Sequence, residues 1–340
     1  MQVLGRSLDC QPMPAVTVIM AFHRLTPFLR PAVRSILNQT LRDFEFLIVD
    51  NGTGAGLAAL GDEGRDPRVQ LIPCATNLGV VTAHNAARAQ AHGEFIANMD
   101  SDDLALPTRL ERQLAVLRAE PRLGLLSTHA LVINEAGEVL KPQFTLAGER
   151  DQHVFSSYSL PVTNPTMMGR RAVFGQFPMR DQFVISSDYD FFARVIEVHP
   201  CRALPEVLLH YRRHAGQMTV NQFPTMVLYA CMVRLITARR RAGRPEGLAE
   251  LLGSMGDWLA RPPPPSASYA FFAGRALAED FPLLAVFLAR RCVSLQRTAP
   301  ALANAVRVLA AAAGREPGRV GSLLRMFFTG PLRTHGLRPV

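Results

Sequence analysis

The feature that most restricts the fold is an alternation along the first part of the chain. Short apolar, β-branched runs at residues 16–20, 44–49, 69–72 and 94–98 read as strands. Between and after them, residues 27–39, 80–91 and 107–119 carry helical spacing, with Leu29, Val33, Ile36 and Leu37 on one face of the first helix. A βαβα order implies a largely parallel sheet sandwiched by helices. Ligands on such sheets bind outside the C-terminal ends of the strands. Each early strand ends in residues suited to holding a polar ligand there, namely Ala21-Phe22-His23, Asp50-Asn51-Gly52-Thr53, Asn77-Leu78-Gly79 and Asp100-Ser101-Asp102.

The fourth strand is the most telling, because an apolar run ends abruptly in Asp100, Asp102 and Asp103. Carboxylates gathered in a small volume repel one another, and a hard divalent cation such as Mg²⁺ or Mn²⁺ relieves that repulsion while holding a phosphorylated ligand. The same residues also suit a plain capping role for the helix that follows, since Asp and Ser accept hydrogen bonds from free helix N–H groups.

At 340 residues and 48% apolar, the chain has ample material for a core. Met1 to Pro14 has no apolar run, so no secretory leader is expected, and no stretch reaches the apolar length of a membrane span. The five cysteines lack paired spacing, which fits a reducing, cytoplasmic setting without disulfides or zinc. Charge is unevenly placed: residues 1–220 hold 21 Lys+Arg against 22 Asp+Glu, and residues 221–340 hold 16 against 6. The chain reads as an N-terminal extension at 1–14, an α/β domain at 15–220 and a basic helical region at 221–340.

The tail reads as helices at 226–241, 247–260, 268–278, 283–296, 299–313 and 320–328, broken by proline-rich segments. Its Arg239-Arg240-Arg241 and Arg290-Arg291 clusters suggest peripheral docking on an anionic inner-membrane face. Ordinary solvated bundle faces look the same in sequence. Nucleic acid is the less expected partner.

The ordered set of Val18-Ile19-Met20-Ala21-Phe22-His23, Phe44 to Thr53, Asn77-Leu78-Gly79 with Asn85, Gly93-Glu94-Phe95-Ile96 with Asp100-Ser101-Asp102-Asp103, Ser187-Asp188-Tyr189-Asp190 and Leu209 to His214 resembles a family 2 glycosyltransferase. The resemblance covers roughly residues 15–220. It implies an inverting enzyme of GT-A fold, an α/β architecture with a Rossmann-like, mostly parallel sheet, followed here by an all-helical C-terminal region. It implies a nucleotide-sugar donor bound by Ala21, Phe22, His23, Asp50, Asn77, His84, Asn85, Asp100 and Ser101. Asp100, Asp102 and His214 are the implied metal ligands for Mn²⁺ or Mg²⁺. Asp188 is the implied general base, and a helix N-terminus there would favour its ionised form. Asp188 in a first helical turn also fits a simple capping role, and His214 within Arg212-Arg213-His214 also fits an ordinary surface residue.

Several positions depart from the family's usual pattern. Asn51 replaces a second acid, His84 stands where arginine commonly precedes Asn85, and Ser187 replaces a glutamate. The expectation is a metal-dependent glycosyltransferase that moves a single sugar, UDP-linked by preference, to a glycan or lipid-linked acceptor in bacterial surface polysaccharide synthesis. The rival readings are a nucleotidyltransferase and a non-catalytic binding protein with a basic tail. No P-loop or well-placed dinucleotide fingerprint supports the first rival.

Overall fold

A computed structural model describes residues 13–296, 298–316 and 318. Most of the expected N-terminal extension, Cys10 and the expected helix at 320–328 lie outside the described residues. The first half runs β1 (Val16–Phe22), α1 (Leu29–Leu37), β2 (Phe44–Asn51), β3 (Val69–Cys74), α2 (Gly79–Ala89), β4 (Phe95–Asn98), β5 (Leu104–Ala105) and α3 (Arg109–Ala119). It continues with β6 (Leu125–Ile133), β7 (Val139–Gln143), α4 (Glu149–Phe155), β8 (Met168–Arg170), α5 (Arg171–Gln176), α6 (Ser187–Val195) and β9 (Cys201–Arg212). The tail is helical: α7 (Met218–Asn221), α8 (Phe223–Arg241), α9 (Leu248–Ser254), α10 (Gly256–Ala260), α11 (Pro265–Ala278), α12 (Pro282–Gln296) and α13 (Ala299–Arg315).

The strands form one sheet in the order β3-β2-β1-β4-β8-β6-β9-β5, with β7 paired to β6. The four early strands are parallel, as the βαβα order implies. Beyond β4 the sheet is mixed: β8 runs antiparallel to both β4 and β6, and β6 then pairs parallel with β9. The βαβα reading cannot extend there, because short strands separated by irregular loops carry no periodic signal.

The early strands are apolar on both sides because both faces of the sheet are covered. In β2, Phe46 and Ile48 pack in one core with Leu29, Val33 and Ile36 of α1, while Leu47 and Val49 pack in another with Val81, Ala83 and Ala87 of α2. Helix α1 buries Leu29, Ala32, Val33, Ile36 and Leu37, the i, i+3, i+4, i+7, i+8 stripe of a core-facing helix. The strand order turns back at β1, so a crevice opens between the C-terminal ends of β1 and β4, the usual ligand position in such sheets.

A third core joins the tail to the sheet domain. Tyr189 and Ala193 of α6 and Phe183 pack with Val227, Met232 and Leu235 of α8 and with Phe272 and Leu288. Arg239, Arg240 and Arg241, part of the expected basic docking face, are drawn into this joint. Arg239 is 7% exposed and donates to both Glu279 oxygens at 2.6 Å. Arg240 pairs with Glu197 and Glu246, and Arg241 with Glu197, Ser156 and the His153 carbonyl. Arg291 lies over the Tyr269 ring at 5.6 Å. The guanidinium groups of Arg239, Arg240 and Arg241 are thus committed to internal acids and carbonyls. Among the described residues no helix is long and apolar enough to cross a membrane.

Candidate active site

The crevice is a cavity of about 610 Å³ at the ends of β1 and β4, walled also by the β1–α1 loop, the start of α6 and the segment after β9. Ala21, His23, His84, Asp100, Ser101, Asp102, Asp188 and His214 all line it. Residues more than a hundred positions apart therefore converge on one volume.

At its floor, oxygens of Asp100, Asp102 and Asp103 lie within 4.8 Å of one another. Asn164 donates to Asp100 at 3.3 Å and is itself held by Asn98 at 3.0 Å. Asp102 meets Nε2 of His214 at 2.9 Å. Asp103 is fully buried and accepts the Arg212 amide at 2.7 Å through one oxygen, while its other oxygen has no hydrogen-bond partner among the described residues. Burial, with Asp102 and Asp188 nearby, pushes the Asp100 carboxyl up to about 7. Burial, with Asp100 and Asp102 nearby, pushes Asp103 well above the usual range. Crowded, desolvated carboxylates with an orphan oxygen are a donor set that suits a hard, oxygen-seeking divalent cation.

Two buried arginines set this floor, Arg109, which gives no signal in the sequence, and Arg212, which lies within the Leu209 to His214 motif. Arg109 of α3, 0% exposed, donates to the Asn98 carbonyl at 2.7 Å and to Gln113 at 3.1 Å. Burial lowers its pKa to about 10, although Asp103 and Asp100 act in the opposite sense. Arg212 at the end of β9 donates to the Asp102 carbonyl at 2.9 Å and to the carbonyls of Asn134 at 3.0 Å and Glu135 at 2.9 Å. Its guanidinium stacks on Phe28 at 4.7 Å, and Phe28 packs against His214 at 4.9 Å. Only its place beside the acid run makes Arg109 notable, and that is a tertiary fact.

Asp188 sits in the first turn of α6, aimed by Ser186, whose φ of 59° turns the chain into the helix. Strained backbone of this kind is held only where surrounding structure fixes it. Its carboxylate accepts the Tyr189 amide at 2.8 Å. A helix N-terminus favours the charged form, but burial outweighs it here, and the Asp188 pKa is raised. Asp190, two positions on, is 1% exposed and is consumed by Arg180 and Arg194. His84 of α2 is buried on the cavity wall, with Nδ1 unpartnered among the described residues. Burial, helped by Arg88, drives its pKa down to about 3, so it meets a ligand as a neutral imidazole.

Four expected donor contacts lie off the cavity wall in this structure. Phe22 is a core residue at 2% exposure. Asp50 is 1% exposed, and its oxygens accept from the Thr53 hydroxyl at 2.6 Å and from the Thr53 and Gly56 amides at 2.9 Å. Burial raises the Asp50 pKa, but these bonds prevail and hold it below the ordinary value. Asn77 accepts from Asn51 at 3.0 Å, and Asn51 in turn accepts the Leu78 amide at 2.8 Å, lacing the second loop to the third. Gly52, φ 88°, lies beneath that lacing, where a Cβ would come within 2.3 Å of the Asn77 nitrogen. Asn85 exchanges two hydrogen bonds with the Met179 backbone, at 2.8 and 3.1 Å. These polar residues at strand and helix ends are occupied by the loops they organise.

A parallel half-sheet that turns back at β1, with an acid cluster at the tip of β4 and the Asp188 carboxylate lining the same cavity, defines a GT-A glycosyltransferase. The model for glycosyl transferase family 2 matches residues 17–177. An uncharacterised glycosyltransferase of Methanocaldococcus jannaschii is 32% identical over 207 residues, 58% of this chain and 71% of that one. The O-antigen biosynthesis glycosyltransferase WbnJ of Escherichia coli is 32% identical over 227 residues, 64% of this chain and 85% of that one. The fold is shared with residues 1–349 of S. aureus TarS crystallised with UDP-GlcNAc, at TM-score 0.53 and 15% identity, over 89% of this chain and 92% of that one. The chain belongs to glycosyltransferase family 2.

Proposed function

We propose that this enzyme transfers one sugar, with inversion, from a UDP-linked donor to a hydroxyl of a glycan or lipid-linked acceptor in bacterial surface polysaccharide assembly, using residues 15–220 for the chemistry. The observation that carries the reading is the convergence of Asp100, Asp102, His214 and Asp188 on one cavity. WbnJ is named for O-antigen biosynthesis and TarS was crystallised with UDP-GlcNAc, which favours the same class of donor and product.

Asp100 and Asp102 would hold a divalent cation, with buried Asp103 behind them and His214 beside Asp102. Bound there, the cation supplies Lewis-acid stabilisation of the negative charge that develops on the diphosphate. The chain's own residues do the rest. Asp188 takes the proton of the acceptor hydroxyl. The acceptor oxygen bonds to the anomeric carbon as the bond from that carbon to the phosphate oxygen breaks, and the nucleoside diphosphate leaves with the electron pair. A base with a raised pKa suits this step, because a carboxylate held at the ordinary value pulls weakly on a hydroxyl proton near neutrality. His84, neutral and unpartnered, offers one hydrogen bond to the donor.

The test compares Asp188→Asn and Asp102→Ala. Asp188→Asn should retain the melting-temperature shift produced by nucleotide sugar with Mn²⁺ and lose transfer, whereas Asp102→Ala should lose the Mn²⁺-dependent part of that shift. Transfer at the wild-type rate by Asp188→Asn removes the base assignment.

A further inference from the structure

The lip of the cavity after β9 is unlike the rest of the surface. From His214 to Met226 the chain contains no Asp, Glu, Lys or Arg. Yet the segment is not buried: Val220 is 52% and Phe223 37% exposed, and Thr219, Asn221 and Gln222 are exposed with them. Its inward side chains, Met218 and Met226, line the cavity. Two neighbouring loops add apolar groups to the same lip. Leu25, 60% exposed, lines the cavity mouth, and its neighbour Arg24 donates to the Gly216 carbonyl at 3.2 Å. Val184, 56% exposed, precedes Ile185 on the cavity wall, and Ser186 donates to the Met226 carbonyl at 3.3 Å.

Three segments tied together at the mouth therefore present Leu25, Val184, Val220 and Phe223 outward. Arg24 and Arg213 flank them; both are exposed, and neither is ion-paired among the described residues. Glu135 also reaches the mouth, where it accepts the Ala215 amide at 3.3 Å.

We propose that this lip is an interfacial anchor that seats the cavity mouth against an anionic lipid surface, so that the acceptor is drawn from the lipid phase. The inference rests on the glycosyltransferase reading and narrows its acceptor to a lipid-linked one. An uncharged, partly apolar segment with an aromatic residue, bordered by arginines outside any ion pair, combines apolar burial among acyl chains with attraction to anionic headgroups. A water-borne glycan finds no hydrogen-bonding side chain in exposed Val220 and Phe223. An acceptor whose lipid lies in the bilayer gains from them, because the cavity then opens where its headgroup lies. The site is separate from Arg239, Arg240 and Arg241, which are consumed in internal ion pairs.

The test is flotation of the full chain with phosphatidylcholine vesicles and with phosphatidylcholine–phosphatidylglycerol vesicles. Wild type should bind the mixed vesicles more tightly, and Val220→Ser/Phe223→Ser should weaken that binding by about tenfold or more. The variant should keep the melting-temperature shift given by UDP-sugar with Mn²⁺. As a second measurement, Val220→Trp in a Trp258→Phe background should show blue-shifted emission and quenching by brominated lipids on the mixed vesicles. Failure of wild type to bind, equal binding by the serine variant, or an unshifted indole would overturn the proposal. So would an apolar lip that instead joins two copies, seen as a dimer lost in the serine variant with no vesicle binding. The absence of any nucleotide-sugar response in wild type would sink the transferase reading instead, leaving the vesicle result to be read by itself.

Discussion

Nε2 of His214 lies 2.9 Å from the Asp102 carboxylate although 112 positions separate the two residues. The contact is made because Arg212, two residues before His214, bonds the Asp102 carbonyl and the Asp103 carboxylate, so the end of β9 is held against the acid run. His214 thereby orients one carboxylate of the proposed cation site and stands ready to join it. His214→Ala should raise the Mn²⁺ concentration needed for the donor-induced melting shift by roughly 10- to 100-fold, with the metal-free melting temperature little changed. Metal titration monitored by thermal unfolding checks this.

The acid cluster also predicts how metal-free stability depends on pH. Asp100, Asp103 and Asp188 have pKa values raised by burial, Asp100 to about 7. A carboxyl raised in the folded state binds more protons folded than unfolded between its ordinary pKa and the raised one. Stability therefore falls as pH rises through that window. In EDTA the protein should melt several degrees lower at pH 8 than at pH 5.5, and Asp100→Asn should flatten the profile. A melting temperature that climbs over this range in EDTA would contradict the assignment.

Transfer should follow the opposite trend. Asp188 must be ionised to accept a proton, so kcat should fall as pH drops through its raised pKa, with a single acidic limb. Asp188→Glu should shift that limb while retaining measurable turnover, which a purely capping residue would not do.

Arg109 gives a separate prediction about stability. Its guanidinium is fully buried, bonds the Asn98 carbonyl and is a charge partner of Asp103 and Asp100. Arg109→Met leaves those carboxylates without their buried counter-charge and should cost about 3–5 kcal/mol, read by urea unfolding without metal. Added Mn²⁺ should recover part of that loss.

The tail arginines should behave as struts. Arg240 joins α8 to Glu197 beyond α6 and to Glu246. Arg240→Ala should destabilise the protein by about 1–3 kcal/mol without changing vesicle flotation. Lost flotation with unchanged stability would restore these arginines as a membrane contact.

The parts of this molecule that can be read in the sequence are those in which chain neighbours decide the outcome. Residues 44–49 and 94–98 alternate between two covered faces and so read as buried strands, and the acid run at 100–103 marks the strand tip. What neighbours do not decide is harder to read. Asp50, Asn77 and Asn85 carry polar groups at strand and helix ends, where a ligand or the protein's own amides serve equally as partners. Only the fold shows that Thr53 and Gly56 bond Asp50 and that the Met179 backbone bonds Asn85. Arg239 to Arg241 look solvated until Glu197, Glu246 and Glu279 are brought beside them. Arg109 and the left-handed turn at Ser186 give no signal at all, since a buried charge and a positive φ are fixed by contacts distant in sequence.

Arg212 fastens three things at once: the acids of the floor, the ring of Phe28, and, through the Asn134 and Glu135 carbonyls, the tip of the hairpin between β6 and β7. Anyone grafting a foreign hairpin here to retarget the enzyme would be altering the seat of the proposed cation as well. Natural relatives that diversify this hairpin would have to keep two backbone oxygens in place while changing almost everything around them.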